Sequence, residues 1–174
     1  MEVYQPAEDS YFLSDFLRDY LDKKEISSYL DMGTGSAILS KTALEFLSKD
    51  QILAMDINPL AVREAKTQGV NAIESDLFDR VKGKFDLITF NAPYLPRDPR
   101  EPKDSQVATT GGKRGDEISV KFLSQAKKHL SKEGRIFLLV SSLTPMDKIA
   151  QFKPKIVARK KLFMEELRIL EFRI

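Results

Sequence analysis

The chain has no cysteine, a single histidine, no long apolar run and almost no excess of either charge, and each shortage removes a class of function. Without cysteine there is no disulfide, no thiolate nucleophile and no zinc-thiolate site. His129 alone cannot build the imidazole clusters of metal hydrolases, and near the end of a predicted helix it suits a surface or dipole contact. No metal site is expected. No stretch approaches the roughly 18 consecutive apolar residues of a membrane span, and residues 1–6 lack a basic segment leading into an apolar one. The expectation is a soluble, cytoplasmic protein with no membrane partner. With 28 basic and 26 acidic residues, the charge is too even to advertise nucleic-acid binding across the whole surface. A chain of 174 residues fits a single domain spanning 1–174, large enough to bury roughly 70% of the surface exposed when unfolded.

What is present is an alternation of short β-rich runs with helical patterns. Phe12, Leu13, Phe16, Leu17, Tyr20 and Leu21 recur at helical spacing and predict an amphipathic helix over residues 8–21. Strands are expected at 28–32, 52–56, 72–75, 86–90 and 136–140, and helices at 37–47, 59–68 and 116–129. Asn58 before Pro59 reads as a cap and first turn. Such βαβ alternation predicts an α/β fold with a mainly parallel sheet and helices on both faces. Beyond a short helix at 146–152, residues 156–163 and 167–174 read as two strands joined too closely for a crossover, hence an antiparallel hairpin. Residues 95–115, rich in Pro and Gly, read as no element but as a substrate-facing loop.

The chemistry is expected at the ends of the strands, where open α/β sheets bind their ligands. Asn91-Ala92-Pro93-Tyr94 follows the fourth run, and Asp31-Met32-Gly33-Thr34-Gly35 follows the first, about sixty residues upstream. Gly33 and Gly35 allow a tight turn and close approach to a ligand. The third glycine of a dinucleotide fingerprint is replaced by Ile38, which argues against a nicotinamide or flavin enzyme. Asp31 would welcome a cationic ligand, and Asp56 could accept from ribose hydroxyls. Asp76 could accept from an adenine amine, with Leu77 against the ring. Ribose, adenine and positive charge together describe S-adenosylmethionine. Asn91 Oδ1 and the carbonyl of Ala92 supply two acceptors for a conjugated NH2 group, and they would steady positive charge growing on its nitrogen during methyl transfer. Tyr94 would stack on the planar group.

These residues match a known family. Asn91-Ala92-Pro93-Tyr94 resembles the Asn-Pro-Pro-Tyr motif of amino-methyltransferases, and Asp56-Ile57-Asn58-Pro59 is similar to the HemK glutamine methyltransferases. Residues 3–13, running from Val3-Tyr4 through Glu8-Asp9-Ser10 to Leu13, resemble the archaeal and eukaryotic HemK-like branch. Gly111-Gly112-Lys113-Arg114-Gly115-Asp116-Glu117 resembles the Gly-Gly-basic loop of the same branch. The resemblance implies a Rossmann-like class I methyltransferase of seven strands whose C-terminal strand is antiparallel. It further implies that Ser10, Asp31, Gly33, Gly35, Asp56, Asp76, Leu77 and Asn91 bind the cofactor and that Asn91, Ala92, Pro93 and Tyr94 hold the target amide.

Its implied substrate is the glutamine of the Gly-Gly-Gln loop in class 1 release factors, and its implied partner is a small zinc-binding protein of the Trm112 type. Ala92 in place of proline is expected to loosen the turn, and Ala37 stands where many methyltransferases have a third glycine. Two alternatives share the same residues: an adenine-N6 methyltransferase acting on DNA or RNA, and a cofactor-binding protein without catalysis.

Overall fold

A computed structural model describes residues 3–97 and 109–173. Seven strands, β1 (Tyr29–Met32), β2 (Ile52–Asp56), β3 (Ala72–Glu74), β4 (Phe85–Asn91), β5 (Leu130–Ser141), β6 (Lys155–Lys161) and β7 (Glu166–Phe172), form one sheet in the order β3-β2-β1-β4-β5-β7-β6. The first five strands pair in parallel, whereas β7 runs antiparallel to both β5 and β6. The expected hairpin is therefore present, with its second strand inserted between the first and the rest of the sheet. Composition explains the order. β7 buries Leu167, Ile169, Leu170 and Phe172, while the edge strand β6 carries Lys155, Arg159, Lys160 and Lys161, charges that discourage edge-to-edge pairing.

Alternation along the strands divides the core in two. Tyr29, Leu87, Phe137 and Leu139 face one side, where helices α1 (Glu8–Leu21), α2 (Ile38–Leu44) and α3 (Pro59–Thr67) pack. Leu30, Met32, Ile88, Phe90, Ile136 and Leu138 face the other, against α4 (Glu117–Ala126). Phe16 and Tyr20 of α1 meet the Phe137 ring edge-on at centroid distances of 4.8 and 4.9 Å. Leu13 and Leu17 beneath them are fully buried, and truncating either to alanine costs about 2–5 kcal/mol. Asn58 caps α3, accepting from Leu60 N at 3.0 Å, with Pro59 in the first turn as expected.

Most boundaries fall within three residues of expectation, and the helix expected to reach His129 ends in a 3-10 turn, Lys127–His129. β5 begins at Leu130, six residues early: Leu130 pairs with Phe85 of β4, and Ser131 to Gly134, which carry no apolar signal, fall in an irregularity before the pairing resumes at Arg135; a Cβ on Gly134 would lie 2.8 Å from the Phe85 carbonyl. The helix expected at 146–152 is only a 3-10 turn, Ala150–Phe152, ended by Lys153 in the left-handed region. The helix expected at 37–47 stops at Leu44. Among the described residues no helix is long and apolar enough to cross a membrane.

β1 is the point where the sheet order divides, with β2 on one side and β4 on the other. The carboxyl ends of β1, β2 and β4 therefore splay around a crevice, the usual ligand position in such sheets.

Candidate functional site

A cavity of about 490 Å³ occupies that crevice, within the range of small-molecule sites. Ser10, Gly33, Gly35, Asp56, Asp76, Leu77 and the tetrad Asn91 to Tyr94 all line it, brought together from α1 and the ends of four strands. Asp31 does not.

The loop after β1 is built on left-handed backbone. Gly33 and Gly35 have φ of 65° and 52°, and a Cβ on Gly33 would sit 2.9 Å from the Phe90 ring. Ala37, at the position of the third glycine, also adopts φ 62° and caps α2 without a side-chain hydrogen bond. That conformation costs alanine about 1–2 kcal/mol and is tolerated because its methyl is buried among α1 and α2. Asp31 is completely buried beneath this loop rather than facing the ligand, which corrects the expected direct contact. Its Oδ2 accepts from Thr34 Oγ1 at 2.7 Å, Ser40 Oγ at 2.6 Å and Ser40 N at 3.1 Å, so it ties the glycine loop to α2. Its Oδ1 has no hydrogen-bond partner. Burial pushes the Asp31 carboxyl up to about 6, against the pull of the Ser40 and Thr34 donors.

Asp56, at the end of β2, accepts from Gly35 N at 2.9 Å and Asn58 N at 2.8 Å. A carboxylate has about four acceptor sites, more than its neighbouring N–H groups occupy, so capacity remains for a further donor. Burial raises its pKa, opposed by the N–H groups of Asn58, Gly35 and Ile57. Asp76 follows β3 and is paired with Lys121 of α4 at 2.9 Å, a partner that sequence reasoning missed. Leu77 is buried with φ 48°, a strained setting for a non-glycine residue that directs the chain around the cavity end.

The acceptor end is organised by Asp9, which sequence reasoning placed in a motif without giving it a role. Asn91 Nδ2 donates to Asp9 Oδ2 at 3.2 Å and to Ser10 Oγ at 3.3 Å. A carboxylate cannot donate, so the amide of Asn91 has one admissible orientation: NH2 toward Asp9, Oδ1 away. That Oδ1 is buried with no hydrogen-bond partner. Buried amide oxygens are ordinarily satisfied, so an orphan held in place by a charged neighbour marks an acceptor waiting for a donor. Asp9 is held in turn by Ser10 N at 2.6 Å and by the Tyr4 hydroxyl at 3.2 Å. An acid in the first turn of a helix reads in sequence as dipole compensation, which hid this use.

Tyr94 is half-buried at the same end, and its phenol pKa is raised by burial and by the charges of Asp9 and Glu165. It stays protonated at neutral pH and is no general base.

Residues 98–108 of the expected loop lie outside the described residues, but its two ends are ordered against each other. Leu95 N donates to Thr109 O at 3.0 Å, and Gly111 N to Leu95 O at 2.9 Å. A Cβ on Gly111 would lie 2.6 Å from the Pro93 carbonyl, and one on Gly115 would lie 2.5 Å from the Tyr94 carbonyl. The glycine-rich stretch therefore clamps the tetrad from behind. The turn expected to be loosened by Ala92 is braced by this contact, and Ala92 itself is buried. Glu117 locks the clamp by accepting from Arg114 N and Gly115 N, each at 3.1 Å.

Comparison with known proteins gives the family of the chain. Residues 12–164 match the methyltransferase small domain family. A protein of Methanocaldococcus jannaschii named for protein N5-glutamine methylation is 39% identical, with 97% of this chain aligned to 90% of it. Methyltransferase HEMK2 of Mus musculus is 30% identical over 79% of this chain and 71% of its own length. A release factor glutamine methyltransferase of Lactococcus lactis is 29% identical over 67% of this chain and 48% of its own. In fold, the chain is similar to a ribosomal protein L11 methylase from Lactobacillus delbrueckii, with TM-score 0.68 at 19% identity over 98% of this chain and 81% of that one.

Proposed function

Since the chain belongs to the methyltransferase small domain family, on its HemK-like branch of archaeal and eukaryotic type, we propose that it transfers a methyl group from S-adenosylmethionine to the amide nitrogen of a glutamine. The substrate we assign is the Gly-Gly-Gln loop of a class 1 release factor. The single observation carrying this reading is the buried, unpartnered Oδ1 of Asn91, a residue that lines the cavity and whose NH2 is held by Asp9.

The cavity fits the cofactor chemically. Asp56 has lone pairs left for ribose hydroxyls, Leu77 closes the far end, and Asp76 offers its carboxylate there while paired with Lys121. Bound in this site, the cofactor supplies a methyl group on a positively charged sulfur. Asn91 Oδ1 and the Ala92 carbonyl accept from the two N–H bonds of the target amide and turn its nitrogen toward that methyl. As positive charge grows on the nitrogen, the two oxygens stabilise it more than they stabilise the neutral amide, which is how they raise the rate. Protonated Tyr94 packs beside the amide and contributes no base. The proton shed by the methylated nitrogen passes to solvent.

The balanced charge favours a protein acceptor over nucleic acid, whose binding rests on phosphate neutralisation. We also assign the protein to the cytoplasm, where release factors act, and expect a small zinc-binding partner of the Trm112 type to assist it. The test is incubation with methyl-labelled cofactor and a class 1 release factor, either intact or with its loop glutamine replaced by alanine. Label on the intact protein alone is the expected result; equal labelling of both refutes the assignment.

A further inference from the structure

Large apolar side chains stand exposed at the end of the sheet that holds the cavity. Phe163 is 99% exposed and Met164 79%, both in the turn between β6 and β7, and Leu143 is 53% exposed in the loop after β5. The turn is closed by Leu162 N donating to Glu165 O at 2.8 Å, so the two side chains sit on a defined tip.

That tip is tied to the site on two sides. Glu165 accepts from Ser141 Oγ at the end of β5, and Ser142 N donates to Glu166 O at 2.7 Å, which joins the turn to the loop bearing Leu143. Lys160 of β6 pairs with Glu8, the neighbour of Asp9. The charge of Glu165 is among those that raise the Tyr94 pKa. Because β7 runs antiparallel to β5, this turn lies at the same end of the sheet as Asn91. Lys161, beside the turn, has no ion-pair partner among the described residues.

A glutamine side chain spans only roughly 5 Å from Cα to its amide nitrogen, since each bond adds about 1.5 Å. Any protein whose glutamine reaches Asn91 must therefore press its own backbone against the mouth of the cavity, and its neighbouring surface against the rim. Exposed Phe and Met projecting from a braced turn have the character of interface anchors, which fill apolar depressions on a partner.

We propose that Phe163 and Met164, with Leu143 beside them, form the docking knob for the acceptor protein. Its partner surface is an apolar depression with an acidic margin facing Lys161, next to the loop that carries the glutamine. This rests on the reading of the site as a protein-glutamine methyltransferase. A docking contact of this kind acts on recognition of the folded substrate and leaves the chemical step alone.

The experiment is steady-state methylation of an intact release factor by wild-type protein and by the variant F163S/M164S, in parallel with a short peptide carrying only the glutamine loop. For the intact substrate, KM rises about tenfold to a hundredfold in the variant while kcat holds. For the peptide, the two proteins are equal, which also shows that the variant is folded. The inference is overturned if KM for the intact factor is unchanged, or if peptide and protein substrates suffer alike. A molecular mass that halves in the variant, with KM unchanged, assigns the knob to a second copy of this chain and likewise overturns it. Wild-type protein that methylates neither substrate refutes the reading of the site itself, and the docking proposal with it.

Discussion

Replacing Asp9 by asparagine changes one atom of the side chain and is expected to invert the acceptor end of the site. In the wild type, Asp9 Oδ1 takes Ser10 N at 2.6 Å while Oδ2 takes the NH2 of Asn91 at 3.2 Å. An asparagine at position 9 keeps its oxygen on Ser10 N, because only an acceptor can sit there. Its NH2 then faces Asn91, which turns its own oxygen toward residue 9 and its NH2 into the cavity. A hydrogen bond to a charged group contributes about 1.5–3 kcal/mol, so the wild-type orientation is favoured at least tenfold and the variant loses that preference. With a donor where the acceptor stood, kcat falls by about 10²–10³, the loss typical of removing one aimed polar group. The assay is single-turnover methylation of a release factor, with calorimetry of the demethylated cofactor beside it; affinity should stay within about twofold of wild type. The double variant D9N/N91D supplies the rescue. Asparagine at 9 then donates to a carboxylate at 91, whose second oxygen again faces the cavity, and kcat recovers by about tenfold or more over D9N. Unchanged kcat in D9N, or no recovery in the double variant, refutes the claim that Asp9 works by orienting Asn91.

Other perturbations follow from the same geometry. Asn91→Ala lowers kcat by about 10²–10³ while cofactor affinity is retained; a loss confined to affinity would assign Asn91 to binding alone. Asp31 has its pKa raised from 3.8 to about 6, so between those values the folded state holds a proton that the unfolded chain has released, and stability falls as pH rises through this window. The decline is about 3 kcal/mol, and Asp31→Asn should flatten it in urea titrations at pH 4 and pH 6. An equal decline in the variant removes Asp31 as its source. Gly33→Ala forces alanine into φ 65° with its methyl 2.9 Å from Phe90. The backbone strain alone costs about 1–2 kcal/mol, lowering Tm by several degrees, together with a loss of cofactor affinity; thermal scans with and without the demethylated cofactor read both.

The sequence by itself determined the strand and helix alternation, the hairpin and the residues that gather at the strand ends. These are local properties: apolar period, caps, glycines that free the backbone, and a proline that stiffens a turn. Leu130 to Gly134 escaped because only Leu130 pairs with β4 there, and the polar residues after it form an irregularity in the strand with no alternating pattern of their own. Only the tertiary structure decided that Asp31 braces the glycine loop instead of meeting a ligand, since burial depends on what covers a residue from elsewhere in the chain. The same is true of Asp9. Eighty-two residues of sequence separate it from Asn91, and nothing in either segment states that they touch. The fold brings the carboxylate against the amide, and that contact selects which of two chemically opposite ends of Asn91 is left without a partner.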